Sequence, residues 1–438
     1  MHRVAVAGVG VRNDGSPLAS TTSAARSAIS VAVASPMSGS IRAEWGSSVA
    51  QLGQLTSYSF LGMFAGRIIG GRLADRLGRR RVLVWASAVY SIASLLSALA
   101  PNLAVLGVLR VITGVGIQAV TGVLIVYVAE MFPGASRGRS QALMLGIGLL
   151  GVPLVASAAR LIVPLSPESW RWVFVLGAIG IIPAVLARFL LPESVRWAAV
   201  NGRADEARAT VERMEAQLPD PLPEIVETTA IHEYKKASDL FAPEIRKRTI
   251  VVTLTLIFGT LGVFGFTGWV PTLPVERGYS TVEALTITTI FSIGPPLGAL
   301  FAMLLSDRFQ RRTTSLVLTS TVAALMLVFA FTGSYWILVI SGFAVTMLLQ
   351  TNTAVVYAYL PEVFPTVLRG LGSGFANGIS RLSGFGNAFL IAAIAAAAGF
   401  GGVFTLTAAF VLLCGLTVGL FGERTRGRRL EDIGEKVP

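Results

Sequence analysis

Long apolar segments constrain the fold of this chain more than any other feature of its sequence. A helix needs about 20 apolar residues to cross a bilayer, because hydrocarbon offers no hydrogen-bond partner to a free backbone amide. Charged residues make up only 14% of the sequence, against about 25% in a soluble globular chain. The sequence therefore predicts an all-α polytopic membrane protein. Eleven segments are long and apolar enough to span: 50–71, 82–100, 103–129, 140–163, 171–191, 249–273, 281–305, 315–333, 335–358, 371–398 and 401–421.

A twelfth, weaker segment precedes these eleven. Residues 18–39 are rich in serine and alanine, poor in leucine and phenylalanine, and carry Arg26. We count this segment as a first helix because an even number of spans places both ends of the chain on one side of the membrane. The expected architecture is therefore twelve helices.

Basic residues indicate which side of the membrane is cytoplasmic. They concentrate in alternate connections, at 72–81, 137–139, 235–248, 308–312 and 424–429. By the positive-inside rule these connections and both termini face the cytoplasm, so we expect a multi-pass protein of the cytoplasmic (inner) membrane. The net charge of +12 is also compatible with nucleic-acid binding. We expect no nucleic-acid partner, because the arginines lie in short clusters between apolar segments.

Two charged motifs each occur twice, and the two copies are equally far apart in both cases. YVAEMFPGASRG at 127–138 recurs as YLPEVFPTVLRG at 359–370, and ADRLGRRR at 74–81 recurs as SDRFQRRT at 306–313. We call this constant separation, which leads from residue 127 to residue 359, the repeat offset. One offset shared by two separate motifs indicates parallel repeats.

The repeat and the long polar middle segment predict how the chain is divided. GRADEARATVERMEAQL in that segment predicts an amphipathic surface helix, ended by a proline-rich stretch. The expected parts are an N-terminal six-helix bundle at 1–191, a cytoplasmic linker at 192–248, a C-terminal six-helix bundle at 249–423 and a cytoplasmic tail at 424–438.

Several motifs resemble those of one family of membrane proteins. GGRLADRLGRRR and RVITGVGIQAV resemble signatures of the major facilitator superfamily, while PESVRWAAVNGRADEA and ERTRGRRLEDI resemble motifs of its sugar-porter-like branch. The resemblance covers roughly residues 44 to 433. It implies a 12-helix (6+6) major-facilitator fold with two pseudo-symmetric bundles. It also implies a secondary transporter that moves a small molecule by alternating access, which we expect to work as a monomer.

The resemblance further implies a cytoplasmic gate made of acids and arginines. In the family, salt bridges between the two bundles hold the outward-facing state and part as the inside opens. The alternative is that these residues only cap helices and neutralise charge at the membrane surface, and it stays open. The candidate gate residues are Asp75, Arg76, Arg79, Glu130, Arg137, Glu193, Asp307, Arg308, Glu362 and Arg369.

Charged and polar residues inside the apolar segments are candidates for substrate binding or coupling. Arg110 lies within segment 103–129, where an arginine costs roughly 2.5 kcal/mol or more unless it meets a cavity or a partner. An arginine facing a cavity can hold a carboxylate through two hydrogen bonds. Any of these residues can instead join neighbouring helices, and this alternative stays open. The candidates are Arg110, Gln118, Thr121, Trp269, Gln350, Asn352, Tyr357, Asn377 and Arg381.

The stretch FGFTGWVPTLPVERG departs from the pattern of true sugar porters. Its Trp-Val-Pro ending resembles the branch that moves aromatic acids, nicotinate and related metabolites together with protons. We therefore expect proton-coupled uptake of a small organic or aromatic acid. No acid lies at mid-membrane depth in the apolar segments, so the usual proton carrier is missing. Facilitative uniport, export of a drug or metabolite, and a non-transporting membrane scaffold stay open as alternatives.

The sequence offers little for enzymatic or metal chemistry. Cys414 is the only cysteine, His2 and His232 are the only histidines, and neither HExxH nor GxSxG occurs. Neither a thiolate metal site nor a hydrolase nucleophile is therefore indicated. We expect a protein that is not an enzyme and that uses no cofactor or metal, with a proton as the expected coupling ion.

Overall fold

The computed structural model describes residues 38–131, 148–215, 237–270, 273–306, 309–364 and 368–423. Within these ranges the chain is helical and contains no strand, which confirms the predicted all-α class. Seven of the described helices are long and apolar enough to cross a membrane. The helices are α1 Ser38–Trp45, α2 Val49–Leu77, α3 Arg79–Ala98, α4 Leu103–Met131, α5 Gly151–Ile162, α6 Trp170–Ala178, α7 Ile181–Leu190, α8 Val195–Val200, α9 Ala204–Glu215, α10 Pro243–Thr267, α11 Leu273–Glu276, α12 Thr281–Ser306, α13 Arg311–Phe331, α14 Tyr335–Val363 and α15 Arg369–Phe421.

The long helices lie on the predicted apolar segments, although α10 is Pro243–Thr267 where 249–273 was predicted. Two of the predicted joints also differ. Segment 171–191 is divided into α6 and α7. Pro183 has no N–H to continue the ladder, and the Ile182 N–H bonds back to the Ile179 carbonyl at 3.1 Å. Segments 371–398 and 401–421 run together as α15, which kinks at Gly399 with φ 61° and ψ −159°. Glycine adopts that backbone conformation without steric cost.

The ends of two predicted segments lie outside the described residues. Segment 18–39 is described only from residue 38, and segment 140–163 only from residue 148. The first helix at 18–39 therefore stays a prediction.

The described residues group into two compact units by their contacts. The first contains Leu61–Val155 and Arg171–Ala230, and the second contains Ala34–Phe60, Ala156–Trp170 and Ile231–Pro438, in each case for the described part of the range. This grouping does not decide the predicted bundle boundaries, which stay a prediction.

Glycines allow helices to approach closely in both units, and they do so at repeated positions. In the first unit, a Cβ on Gly66 of α2 would overlap the Val115 carbonyl of α4. In the second, a Cβ on Gly298 of α12 would overlap the Met347 carbonyl of α14. The repeat offset leads from each residue of the first pair to its counterpart in the second. The repeat seen in the charged motifs therefore extends into the helix packing.

Hydroxyl groups of α3 tie this helix to α6 in the first unit. The Tyr90 hydroxyl donates to the Gly177 carbonyl at 2.9 Å, and the Ser94 hydroxyl donates to the Phe174 carbonyl at 2.9 Å. All four residues are buried. These bonds satisfy polar groups that hydrocarbon could not.

The short helices α8 and α9 pack onto the first unit. Trp197 of α8 donates its indole N–H to the Asp75 carbonyl at 2.8 Å. Ala207 and Val211 of α9 are buried in the same hydrophobic cluster as Tyr127 of α4. Residues four apart share one side of a helix, so α9 is amphipathic, as its sequence predicts.

An aromatic cluster forms much of the core of the second unit. The ring of Phe329 lies edge-on to Phe404 at 4.8 Å and to Phe266 at 5.1 Å between centroids. All three rings are fully buried. Such pairs add about 0.5–1.5 kcal/mol each beyond the burial of their area.

A proline in α12 leaves a carbonyl that a neighbouring helix satisfies. Pro295 has no N–H to offer the Phe291 carbonyl four residues earlier. The hydroxyl of Thr346 on α14 lies 3.0 Å from that carbonyl oxygen and 2.9 Å from the Phe343 carbonyl of its own helix, so its single hydrogen is shared between the two acceptors. The second unit thus offers the free carbonyl of α12 a donor from a neighbouring helix.

Arg171 satisfies the carbonyl groups at the end of α3. Its Nη1 donates to the carbonyls of Ala98 and Ala100 at 3.0 and 2.9 Å. The last carbonyls of a helix have no partner within the helix, and a cation there also opposes the helix dipole.

Arg277 plays the same role at the end of α13. It donates to the carbonyls of Ala330 and Thr332 at 3.0 and 3.1 Å. Its Cζ also lies 4.1 Å from the centroid of the Phe400 ring. Each unit thus has one arginine that closes an equivalent helix end.

Candidate functional site

A cavity of about 170 Å³ lies within the second unit, between α10, α14 and α15. A cavity needs about 10–15 Å³ of such volume to hold one water molecule, so this one has room for a small ligand. Threonine hydroxyls and apolar side chains form most of its wall. Four predicted site residues line it: Gln350, Asn352, Tyr357 and Arg381.

Arg381 supplies the charge of this cavity. It is the only charged residue among those that line it, all of which belong to the described part of the chain. Its side chain is partly buried, and its Nε is buried without a hydrogen-bond partner among the described residues. Its Cζ lies 6.0 Å from the centroid of the Phe264 ring, which also lines the cavity. The protein therefore leaves at least one donor of this guanidinium unsatisfied.

Hydrogen bonds hold two of the neutral polar side chains in place. Asn352 accepts from the Ser315 hydroxyl of α13 at 2.7 Å. Asn377 donates to the Tyr357 hydroxyl oxygen at 3.1 Å, which leaves the tyrosine hydrogen for another acceptor. Asn377 itself does not line the cavity. It positions a residue that does.

Trp269 lies away from this group. It is 7% exposed and packs in the hydrophobic cluster that contains Phe266 and Val270. It is not among the described residues that line the cavity. Its predicted contact with a substrate stays a prediction.

Three predicted site residues belong to the first unit, on α4. Arg110 and Gln118 are 3% and 5% exposed. The Arg110 Cζ lies 5.9 Å from the centroid of the Phe174 ring. Thr121 donates its hydroxyl to the Ile117 carbonyl of its own helix at 2.9 Å. Their roles in substrate binding or coupling stay predictions.

The cavity also contains residues that sequence reasoning missed. Thr255, Thr260 and Phe264 of α10 line it, as does Thr353 of α14. Threonine and phenylalanine are ordinary residues of an apolar helix, so their types gave no signal. The spacing of Thr260 and Phe264, one turn apart, would have placed them on one side of α10.

A charged cluster joins α3 to α4 at one end of the first unit. The Arg79 guanidinium donates to the Glu130 carboxylate through Nε and Nη2, both at 3.0 Å. The two side chains are 11% and 14% exposed. The Ser194 hydroxyl also donates to Glu130. A bidentate, partly buried pair of this kind is stronger than a surface ion pair.

Glu193 caps the start of α3 in the same cluster. Its carboxylate accepts the backbone N–H groups of Arg79 at 2.7 Å, Arg80 at 3.0 Å and Ser194 at 2.9 Å. The preceding Gly78 has φ 101°, and a Cβ on it would overlap the Glu193 carboxylate. Glu193 therefore caps a helix, which is the alternative function considered above for the candidate gate residues.

The second unit repeats the ion pair. Arg311 Nη2 lies 2.7 Å from Glu362 Oε1, and the two side chains are 21% and 22% exposed. Glu362 was predicted as a gate residue, whereas Arg311 was not among the predicted gate residues. The repeat offset, applied to Arg79, is the sequence signal that identifies Arg311.

The other predicted gate residues are exposed or undescribed. Asp75 also pairs with Arg79, at 3.1 Å, but its side chain is 74% exposed. Arg76 is exposed. Arg137, Asp307 and Arg308 lie outside the described residues, as does the side chain of Arg369. The described ion pairs of this set each lie within one unit, and pairing between the bundles stays a prediction.

Comparison with known proteins identifies the class to which this architecture belongs. The sequence model of one family, described as sugar (and other) transporter, matches residues 14–437. With the repeated helical units and the polar cavity, this match defines a transporter of the major facilitator superfamily. The chain belongs to the sugar (and other) transporter family. The predicted family, membrane embedding and small-molecule transport are therefore confirmed.

Individual relatives cover nearly the whole chain. A Bacillus subtilis (strain 168) protein named for metabolite transport, YyaJ, is 34% identical over 88% of this chain and 87% of its own length. The niacin transporter NiaP of Acinetobacter baylyi (strain ATCC 33305 / BD413 / ADP1) is 27% identical over 89% of each chain. The xylose transporter XylE from E. coli, in a partially occluded inward-open conformation, has the same fold, with a TM-score of 0.77 at 17% identity over 94% of this chain and 98% of its own. The predicted major-facilitator fold is confirmed.

Proposed function

We propose that this transporter moves a small organic carboxylate, an aromatic or heteroaromatic acid, by alternating access. The observation that carries the proposal is Arg381, the only charged residue among the described residues that line the cavity of the second unit. A guanidinium inside a membrane protein is costly unless it meets a partner. A carboxylate is the partner that its planar set of donors fits best.

The surroundings of Arg381 suit a ring that bears the carboxylate. Phe264 offers an aromatic face, and Tyr357 retains a hydroxyl hydrogen that can be donated. Gln350 and Asn352 add amide groups near the same wall. Pockets for small molecules combine a mostly apolar lining with a few placed polar groups in this way. The name of the relative NiaP supports the same chemistry, because niacin is a pyridine carboxylic acid.

The proposed gate consists of the predicted cytoplasmic acids and arginines. Asp75, Arg76, Arg79, Glu130, Arg137, Glu193, Asp307, Arg308, Glu362 and Arg369 form a breakable latch, to which Arg311 is added. The pairs Arg79–Glu130 and Arg311–Glu362 each lie within one unit, and they hold an arginine and an acid of this set at corresponding helix ends of both units. Exposed members such as Asp75 contribute about 0–1 kcal/mol each. Such small terms can bias an equilibrium between states that differ by a few kcal/mol.

The remaining parts of the proposal concern topology and partners. The protein lies in the cytoplasmic membrane with both termini inside, has bundles at 1–191 and 249–423, and works as a monomer without cofactor, metal or nucleic acid. Arg110, Gln118, Thr121 and Trp269 complete the proposed set of binding or coupling residues. The direction is uptake. The clustering of basic residues in alternate connections supports the topology.

Uptake by purified protein in liposomes tests the proposal. The panel is nicotinate, benzoate, a shikimate-like acid and a hexose, each with and without an inward proton gradient. We expect uptake of one acid and none of the hexose. Gradient-stimulated uptake would indicate proton symport, and uptake that only equilibrates would indicate a facilitator. Hexose uptake without acid uptake would overturn the proposed substrate class.

Substitution of Arg381 tests the residue that carries the proposal. Arg381→Gln should raise the KM for the acid about 10- to 100-fold, because a hydrogen bond to a charged group contributes about 1.5–3 kcal/mol. The matched control is Arg213→Gln, which removes an exposed arginine on α9. An unchanged KM in the Arg381 variant would contradict the proposal.

A further inference from the structure

The described residues that line the cavity of the second unit include one fixed positive charge and no fixed negative charge to balance it. Among the described residues that line it, Arg381 is the only ionisable group that is charged at neutral pH, and no aspartate or glutamate is present. The remaining polar groups of the wall are hydroxyls, amides and the thiol of Cys414. The cavity therefore carries a net charge of its own.

The apolar segments provide no acid that could approach this charge from another helix. The twelve predicted segments contain one carboxylate, Glu283, close to the beginning of segment 281–305. Glu283 accepts hydrogen bonds from the backbone and hydroxyl of Ser280, both at 2.8 Å. It is engaged at a helix start and is not among the described residues that line the cavity.

Arg381 cannot remove its own charge. A guanidinium stays protonated in proteins, so loss of a proton to water is not available to it as it is to a lysine or a histidine. The charge must therefore be carried through the transport cycle, either with an anion beside it or without one.

We propose that this protein is an anion exchanger. A carboxylate must be bound for the cavity to change quickly from facing the inside to facing the outside. The inference rests on the proposed function, because it takes the ligand of Arg381 to be a carboxylate. With the acid bound, the cavity is neutral and closes around an ion pair. Without it, closure must desolvate an unbalanced guanidinium, which slows the return of the empty carrier.

This mechanism differs from proton symport in the event that allows the binding site to face outward again. In a symporter with a carboxylate proton carrier, the site that faces inside is reset by loss of a proton. Here no such group is present in the described wall of the cavity, and a second anion from the inside resets it. One acid enters as another leaves, so the exchange moves no net charge when the two acids carry the same charge.

The test compares exchange with net uptake in proteoliposomes of the wild-type protein. Labelled nicotinate, with benzoate in parallel, is added to vesicles that are empty or preloaded with the same unlabelled acid. We expect initial uptake to be at least tenfold faster into preloaded vesicles. An interior-negative potential, set with potassium and valinomycin, should slow net uptake and leave exchange unchanged. Equal rates with and without preload, or accumulation driven by a proton gradient into empty vesicles, would overturn the inference.

A variant separates the charge of Arg381 from the rest of the cavity. Arg381→Gln is assayed with nicotinamide, which keeps the ring of nicotinate and replaces its carboxylate by a neutral amide. We expect uptake of the amide that preloading changes by less than twofold. A tenfold acceleration in this variant would contradict the role of the charge. If the variant does not fold, the wild-type comparison decides alone.

Failure of the inference is distinguishable from failure of the proposed function. Uptake of the acid that depends on Arg381 but is not accelerated by preload would leave the proposed function standing and remove the exchange mechanism. Absence of acid uptake, or acid uptake unchanged by Arg381→Gln, would remove both.

Discussion

Arg311 and Glu362 form an ion pair of 2.7 Å that repeats, at the repeat offset, the pair formed by Arg79 and Glu130. In both units the arginine is the first residue of its helix, α3 or α13, and the acid lies near the end of the following long helix. The repeated charged motifs thus correspond to a repeated contact within each of the two units.

Exchanging the two charges should restore most of the stability that either single charge reversal removes. Arg311→Glu or Glu362→Arg alone places like charges together in a partly buried position. The double variant re-forms the pair, and the coupling energy should be about 0.5–3 kcal/mol. Thermal unfolding of the purified single and double variants gives this value. Additive effects of the two single variants would show that the pair contributes nothing.

Charge reversal at Glu130 should shift the protein toward the inward-facing state. Glu130→Lys removes the bidentate partner of Arg79 and sets two cations side by side. Labelling of introduced cysteines from each side of the membrane measures the shift. Glu206→Lys on the exposed surface of α9 is the matched control. Unchanged accessibility of the outer side in the Glu130 variant would count against the proposed latch.

A methyl group added at Gly66 should destabilise the folded protein far more than one added at Gly71, although both residues lie on α2. At Gly66 it meets the Val115 backbone, whereas at Gly71 no atom lies within 4 Å. Gly71→Ala should stabilise the helix by about 0.5–1 kcal/mol, and Gly66→Ala should lower the yield of folded protein. Gel filtration and thermal unfolding in detergent compare the two. Equal behaviour would argue against close contact of α2 and α4.

Removal of the Thr346 hydroxyl should destabilise the second unit. Thr346→Val keeps the shape of the side chain but leaves the Phe291 carbonyl without its donor, at a cost of about 1–3 kcal/mol. Thr321→Val is the control, because its hydroxyl is exposed and bonds only to the Val317 carbonyl of its own helix. The difference between their melting temperatures measures the effect. A Thr346 variant as stable as the control would mean that Pro295 leaves no carbonyl that needs this bond.

Most of the fold could be predicted from the sequence because the bilayer imposes one length on every spanning helix. Where the structure describes the predicted apolar segments they lie on helices, and the constant offset between the charged motifs indicated the repeat. Two of the helix boundaries that differ from the prediction are set by a proline. The missing N–H of Pro183 divides one segment, and the beginning of α10 at Pro243 rather than at 249 follows from a proline at its first turn.

The site could be predicted only where residue type gave a signal. Gln350, Asn352, Tyr357 and Arg381 stand out in apolar segments, and they line one cavity. Trp269 also stands out, but it packs in the aromatic core. Its position just beyond the end of α10 decides its surroundings, and the sequence does not fix a helix end to one residue.

Arg171 and Arg277 show a kind of repetition that sequence comparison cannot detect. The repeat offset leads from the carbonyls that the first arginine binds to those that the second binds, from Ala98 to Ala330 and from Ala100 to Thr332. The arginines themselves are not related by that offset.

The repeat offset leads forward from Arg171 to Val403, and it leads back from Arg277 to Trp45. Both halves have backbone carbonyls at a helix end that need a hydrogen-bond donor. In each half the donor is an arginine from a different place in the chain. An alignment of the halves compares residues position by position and would score both arginines as unmatched. It would miss that the carbonyl groups which accept their hydrogen bonds are at equivalent positions.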